Sequence, residues 1–518
     1  MTAPSTVHTD VLVVGAGPSG LMAAVCLARL GVDVIIVDGK SEPTRESRAL
    51  ALHARSMEIY DQLGLVDRVL DECDRAPQIV PGYRTRTFRP VSFAGFGSTI
   101  TPYPGIYVLE QSRNERILVD AFRDFGREVR WRHELRELRI DEGSDHPVEA
   151  TLATPGPPGA LPGETETPIT IRARWCIGAD GSSSRVRDLL GIDFEGSTNP
   201  LRFYVVDALD VHGLVEGGMN SRVSRDDFVL AFPMGSPGHH RILGIVDGSV
   251  PERDLEDQVR ARLRTEFAIR YERSGWFASY RVHHRLSARF RDGPVFLVGD
   301  AAHVHSPVGA QGMNTGLQDA HNLACKLGDV IHGGAAPSLL DRYEAERRPV
   351  ARRLVRTTDA AFARITSLAW FARFLRDRIV PLVAPLAVRF GPRLVGTERI
   401  FGYLAQLRIH YWASSLERSQ RHGRRDRVIG RRLSWSGDNF AALRSMTWQV
   451  HGYGAPADAV EEAAGALGFE AHAFGPDVHR RLKASRLYLV RPDGFVAAAA
   501  PIATAADRFR VYLEASQR

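Results

Sequence analysis

Cysteine is scarce in this chain of 518 residues, with Cys26, Cys73, Cys176 and Cys325 making up its four. They are scattered, with no CxxC and no metal-ligand spacing, which excludes a disulfide framework, a dithiol redox pair and a cysteine-held metal. Cys26 and Cys176 fall in apolar runs and read as small core residues. Lysine is scarcer still: Lys40, Lys326 and Lys483 stand alone among 67 basic residues. There is no block of like charge, and a formal net charge of +6 is small for this length. The basic balance therefore reads as solvated surface, not as a nucleic-acid footprint, with weak help in attracting an anionic ligand. No uncharged apolar run reaches the roughly 20 residues that a membrane span needs. The nearest, SLAWFARFLRDRIVPLVAPLAVRF, is interrupted by Arg373, Arg376, Asp377 and Arg378 and reads as an amphipathic surface or interface helix. The start MTAPSTVHTD has no apolar h-region, so a cytoplasmic protein is expected.

What is present is ordinary globular composition, 44% apolar and 25% charged, in a length that predicts two or three domains. No long internal repeat appears. The first motif is DVLVVGAGPSGLMAAVCLARLGVDVIIVD, an apolar strand, a glycine turn, an amphipathic helix and a second strand ending in an acid. Gly15 makes the tight turn, Gly17 admits a pyrophosphate to the backbone, and Gly20 lets helix and strand pack closely; Ser19 is counted with them. Asp38 follows at the spacing where an acid accepts hydrogen bonds from ribose hydroxyls. This motif alone does not separate FAD from NAD.

Two further segments carry glycine and acid together. GADGSSSRVR holds Asp180 and Gly181, and VFLVGDAAHVHSPVGAQGMNTGLQDA holds Asp300. In the latter, Val295 to Val298 reads as a buried strand that delivers Asp300 at its end. Gly309, Gly312 and Gly316 follow, where the backbone can approach a flat ligand and the amides at a new helix start favour an electron-rich oxygen. His303 and His305 form an HxH without a convincing third ligand, so no metal is expected. Stretches such as RFYVVDALDV, FVLAFPM and RILGIVDG between 190 and 285 alternate as an antiparallel sheet, the expected substrate platform. ALALHARSMEIYDQLGL and NERILVDAFRDFG read as helices. SLLDRYEAERRPVARRLVRTTDAAFARI reads as one kinked near Pro349. TPGPPGALPGETETP reads as an exposed hairpin tip.

The three motif segments resemble the single-component, class A FAD-dependent aromatic hydroxylases, the para-hydroxybenzoate hydroxylase-like monooxygenases. GAGPSG matches that family's FAD fingerprint, and GADGSSSRVR its DG motif, with Ser184 and Arg187 in place. GDAAHVHSPVGAQGMNTG matches its GD motif nearly position for position. The match runs from about Asp10 to Arg348 and is much weaker across the substrate-facing middle. LYLVRPDGFVA resembles the thioredoxin-like tail of the phenol hydroxylase and aromatic polyketide hydroxylase branch.

The resemblance implies an α/β protein in which a Rossmann-like FAD-binding domain (1–75, 107–189 and 283–404) is interleaved with a mixed-sheet substrate domain (76–106 and 190–282). A thioredoxin-like domain follows at 405–518, with packing or a homodimer contact as its role. It implies FAD at Gly15, Gly17, Ser19, Gly20, Asp38, Arg48, Gln111, Asp180, Asp300, Gly312, Met313 and Asn314. Arg48 would hold pyrophosphate and respond to flavin movement. Pro307 would face the flavin ring and the substrate, and Asp180 would organise backbone around the cofactor. By resemblance NADPH visits transiently to reduce FAD, oxygen adds, and the flavin C4a-hydroperoxide hydroxylates a phenolic or aromatic polyketide substrate.

There is no second glycine-rich strand–turn–helix for a resident nicotinamide cofactor. Baeyer–Villiger insertion, epoxidation, a flavin-dependent halogenase and a non-catalytic flavin binder are the alternatives. No WxWxIP-like stretch supports the halogenase. Tyr204, His239, His240, His283 and His284 lie in or near the substrate region, and none is assigned as a base.

Overall fold

The computed structural model describes residues 6–44, 50–93, 95–154, 168–225, 227–246, 250–306, 310–366, 378, 397–411 and 428–516. Its centre is a parallel sheet. Strand β1 (Thr6–Val14) pairs with β2 (Val34–Asp38) on one side and with Ile169–Gly178 on the other. Arg130–Trp131 extends the sheet beyond β2, and Val295–Leu297 pairs with the end of the Ile169–Gly178 strand. These strands are β-branched runs buried on both faces, as a parallel sheet requires. The hairpin of Glu134–Ile140 and Val148–Ala153 adds antiparallel strands to the first half of Ile169–Gly178. Helix α1 (Pro18–Arg29) fills the β1–β2 crossover and packs along the long helix Gly312–Ile331.

A nine-stranded mixed sheet stands beside it. Its long strands are Phe194–Leu209, His240–Val246, Phe228–Pro233 and Arg273–Ser287. Alternation puts successive side chains on opposite faces. One face, with Tyr204, Val206 and Ile242, is covered by a helix Leu255–Phe267 through Leu255, Val259, Leu263 and Phe267. This helix interrupts a region whose alternation predicts strands throughout. The other face carries Val205, Phe232, Leu243, Trp276 and Tyr280 and turns towards Leu50, Ala76 and Val108. The edge strand His303–Val304 joins this sheet to the loop after Val295–Leu297.

The C-terminal region forms its own four-stranded sheet, in the order Glu470–Phe474, Gln449–Tyr453, Arg486–Val490, Val496–Pro501. The first pair is parallel and spans a helix Ala457–Gly465. The last pair is a hairpin, followed by a helix Ala505–Ser516.

One expected helix is shorter than its sequence implied. In ALALHARSMEIYDQLGL, Ala51–Leu52 is a strand paired with Tyr107–Val108, and helix α2 spans only Ala54–Gln62. Long-range pairing overrides local helix propensity here. The helix predicted to kink near Pro349 runs as one element, Asp341–Thr366. The segment SLAWFARFLRDRIVPLVAPLAVRF lies almost wholly outside the described residues, as does the tip TPGPPGALPGETETP. Among the described residues, no helix is long and apolar enough to cross a membrane.

Candidate functional site

The first glycine turn is built by backbone proximity. Gly15 has φ +105°, a left-handed conformation natural to glycine, and its amide donates to the Val37 carbonyl at 2.8 Å. A Cβ on Gly15 would collide with the Ala179 carbonyl, and one on Gly20 with the Gly15 carbonyl. A Cβ on Gly17 would meet nothing within 4 Å. Two glycines are thus demanded by the protein itself, while the third borders open space. Gly17 caps α1, Pro18 opens it, and no side chain caps its first turn. Its amides therefore present a positive pole towards that space. Asp38 closes the turn: its Oδ2 accepts the Ala16 amide at 2.6 Å and its Oδ1 the Lys40 amide at 2.8 Å.

The other two motifs converge on the same turn. The Ala179 amide donates to Val14 O at 2.7 Å, setting the DG segment against the glycine loop. Asp180 accepts the Ser184 hydroxyl at 2.5 Å and the Val186 amide at 3.0 Å, and burial raises its carboxyl pKa. One oxygen thus holds the Ser184 side chain and the other braces backbone. Arg187 is buried over the Phe194 ring, and its guanidinium donates to Ser182 O and Ala301 O, both at 3.1 Å. That bond ties the DG motif to the residue after Asp300. Ser19 completes the junction, because its hydroxyl fills the space where a Cβ on Gly299 or Gly316 would sit. Asp300 lies exposed in a single turn, Gly299–Ala301.

Gly312, Met313 and Asn314 open the 20-residue helix Gly312–Ile331, called α3 below. Asn314 is fully buried. Its Oδ1 accepts the His53 amide at 2.8 Å and the Ser56 hydroxyl at 2.7 Å, and its Nδ2 donates to Ala51 O at 2.8 Å and Ala310 O at 2.9 Å. Met313 Sδ receives Asn114 Nδ2 at 3.6 Å. Gln111 is the first residue of a helix Gln111–Asp124, and its amide donates to Glu115 at 2.9 Å. Arg48 and Pro307 lie outside the described residues.

Sequence reasoning missed a buried triad beneath the GD loop. Arg347 Nε donates to Asp319 Oδ1 at 2.6 Å, while His303 Nε2 lies 2.6 Å from Asp319 Oδ2. The Gly299 amide reaches the same oxygen at 3.3 Å. Burial alone would raise the Asp319 carboxyl, but Arg347 and then His303 outweigh it and hold the group below its ordinary value. His303 is therefore a loop anchor, and among the described residues no histidine, cysteine and carboxylate group could hold a metal. Burial lowers the neighbouring His305 to about 4. The signal available in the sequence was Asp319, three residues past Gly316, in a segment read for its glycines and the amides at the helix start.

The candidate bases separate clearly. Tyr204 and His240 are buried, with Tyr204 stacked on Phe277 against the covering helix. His283 lies 2.9 Å from the Thr198 hydroxyl. His239 pairs with Asp207, whose other oxygen accepts Arg241 at 2.8 Å, and Arg241 also donates to Glu110 at 2.9 Å. This chain joins the face of the nine-stranded sheet that carries Trp276 to the residue before Gln111.

Residues 8–358 match the family described as FAD binding domain. The chain is 35% identical over 366 residues to 12-dehydrotetracycline 5-monooxygenase/anhydrotetracycline 6-monooxygenase of Streptomyces rimosus subsp. rimosus, covering 68% of this chain and 69% of that protein. It is 28% identical over 502 residues to the uncharacterized aromatic compound monooxygenase YhjG of Bacillus subtilis, covering 94% of this chain and 93% of that protein. The solved structure of OxyS anhydrotetracycline hydroxylase from Streptomyces rimosus matches with a TM-score of 0.75 at 26% identity, covering 98% of this chain and 99% of that one.

Proposed function

The chain belongs to the class A FAD-dependent aromatic hydroxylases, and we propose that it hydroxylates a phenolic or aromatic polyketide-type substrate with NADPH as transient reductant. The observation that carries this is the convergence of three motifs on one turn where Gly17 alone borders open space. Bound FAD supplies the oxygen-activating chemistry. The residues fit it: the α1 amides receive pyrophosphate beside Gly17, and Asp38 keeps lone pairs for the adenosine ribose. Asp300 would accept a ribitol hydroxyl, and the first-turn amides at Gly312, Met313 and Asn314 would stabilise negative charge on the reduced ring as an oxyanion hole does. Gly15, Gly20, Ser19 and Asp180 shape the backbone of that cradle, and Gln111 borders it. Arg48 and Pro307 belong to this reading through the family resemblance alone, Arg48 for pyrophosphate and Pro307 for the ring and the substrate.

The face of the nine-stranded sheet that turns towards Leu50, Ala76 and Val108, with Phe232, Trp276 and Tyr280 and the partly buried Met219 and Met234, offers a broad apolar and aromatic wall. Such a wall suits a fused-ring substrate better than a small benzoate. The tetracycline-type relatives support the same choice. The domain limits 1–75, 107–189 and 283–404 for FAD, 76–106 and 190–282 for substrate, and 405–518 for a thioredoxin-like unit belong to this reading. The parallel pair, hairpin and two helices of the C-terminal sheet support the last. The enzyme works in the cytoplasm, and a homodimer through the C-terminal region is part of the proposal.

The deciding experiment reconstitutes the chain with FAD and follows NADPH oxidation under labelled oxygen gas. Oxidation should be slow alone and faster with an aromatic substrate, and one labelled atom should enter the product. Label arriving from water instead would remove the monooxygenase reading, and a halide-dependent product would replace it with halogenation. A smaller effect checks the two acids. Asp38→Ala and Asp300→Ala should each weaken FAD binding by about 1–3 kcal/mol, the scale for losing a charged hydrogen-bond partner. Titrating the apoproteins with FAD measures this, and parental affinity in either variant would take that acid out of the site.

A further inference from the structure

Helix α3 carries Asn314, Gln318, Asn322 and Lys326 at successive spacings of four, all buried on one side. Asn322 meets the tip of the C-terminal hairpin, the turn RPDGF at 491–495, while Lys326 meets Glu346 of the helix Asp341–Thr366 beside it. Arg491 forks onto Glu346, Nη1 to Oε1 at 2.7 Å and Nη2 to Oε2 at 2.9 Å, and also donates to Asp493 at 2.6 and 3.0 Å. Asn322 Nδ2 donates to both acids, to Glu346 at 2.9 Å and to Asp493 at 3.1 Å, and Lys326 Nζ reaches Glu346 at 2.8 Å. From the other side, Arg55 of α2 donates to the Asp493 carbonyl at 2.9 Å. The hairpin tip thus grips α2 and α3 together. Those two helices meet again at Asn314, where Ser56 and the His53 amide bond its side-chain oxygen.

Adhesion alone does not call for this chemistry, since apolar residues of similar volume often hold two buried surfaces as well as ions do. A forked guanidinium on a carboxylate adds direction: Arg491 fixes the hairpin tip in register on the helix Asp341–Thr366, whose Glu346 also takes Asn322 and Lys326 of α3. We propose that Arg491 and Asp493 are positioning residues of the flavin site, through which the C-terminal domain sets where the first turn of α3 lies against the flavin. This rests on the FAD reading above. The residues touch no reacting atom. They act through α2, α3 and Asn314.

The test uses the full chain. FAD binding by the parent is measured first, so that failure of the cofactor reading is distinguished from failure of this one. R491K keeps the charge and loses the fork. FAD affinity, the visible flavin spectrum, the flavin midpoint potential and cooperative thermal melting are then compared. The expected result is a folded R491K protein whose FAD affinity falls about tenfold, the scale of coupling between residues in one network, with a shifted flavin spectrum and potential. A protein with parental affinity, spectrum and potential and only a lower melting temperature overturns the proposal. If R491K does not fold, D493N, which preserves the shape of the turn, is read against the same two outcomes.

Discussion

Replacing Asp319 with asparagine should cost the protein about 3–5 kcal/mol of stability, because it leaves the Arg347 guanidinium buried without its counter-charge. Both residues are fully buried, and the carboxylate receives Arg347 at 2.6 Å with His303 at the same distance on its other oxygen. An amide keeps the shape but carries no charge and turns one acceptor into a donor, so one of the two partners faces a donor. The effect reaches the GD loop, since the Gly299 amide also points at this carboxylate. FAD retention should fall together with stability.

The pH dependence has a definite sign. Arg347 and His303 hold the native carboxyl below its ordinary value despite burial. Its contribution is therefore fully present above the unfolded pKa of about 3.9 and is lost as pH falls through the lower native value. Denaturant titrations at pH 7 and in acid should show the gap between parent and variant closing below about pH 4. A variant within about 1 kcal/mol of the parent at pH 7 would show that the triad is not what holds this loop.

The parts of the molecule that were legible in the sequence are those whose physics is local. Gly15, Gly17 and Gly20 announce a turn by spacing, and Val295–Leu297 announces a buried strand by composition. The less legible parts depend on residues far apart in the chain. The stripe Asn314, Gln318, Asn322 and Lys326 is visible as a pattern, but a polar stripe on a helix ordinarily faces water. Partners distant in the chain make it interior: His53 and Ser56 at Asn314, Gln406 at Gln318, and Glu346 and Asp493 at Asn322, the last 171 residues away. The same reason hid the Ala51–Leu52 strand, whose partners are Tyr107 and Val108. The helix Leu255–Phe267 had its signal in Leu255, Val259 and Leu263 at intervals of four, inside a region whose alternating neighbours favoured strands. His303 has its acid partner, Asp319, in the next helix, where no motif points to it.

The glycine turn yields the sharpest separation between folding and binding. Gly20→Ala should fail as a protein: the new Cβ collides with the Gly15 carbonyl and lies 3.1 Å from the Ala179 side chain, with backbone on the crowded side. Relief requires moving α1 off β1, a cost of about 3 kcal/mol or more for a forced overpacking. Gly17→Ala should behave in the opposite way. Its backbone is extended, at φ −81° and ψ −178°, which any residue adopts, and its Cβ meets no protein atom within 4 Å. The apoprotein should melt within a few degrees of the parent, losing at most the modest difference between glycine and alanine as a helix cap. The space that the Cβ enters is the one assigned to pyrophosphate. FAD affinity should therefore fall by about one to two orders of magnitude, the binding equivalent of about 1–3 kcal/mol of steric conflict. Melting the two apoproteins and titrating them with FAD reads both effects separately. If Gly17→Ala bound FAD like the parent, the pyrophosphate would not lie at this helix start, and the cradle would have to be sought elsewhere on the sheet edge.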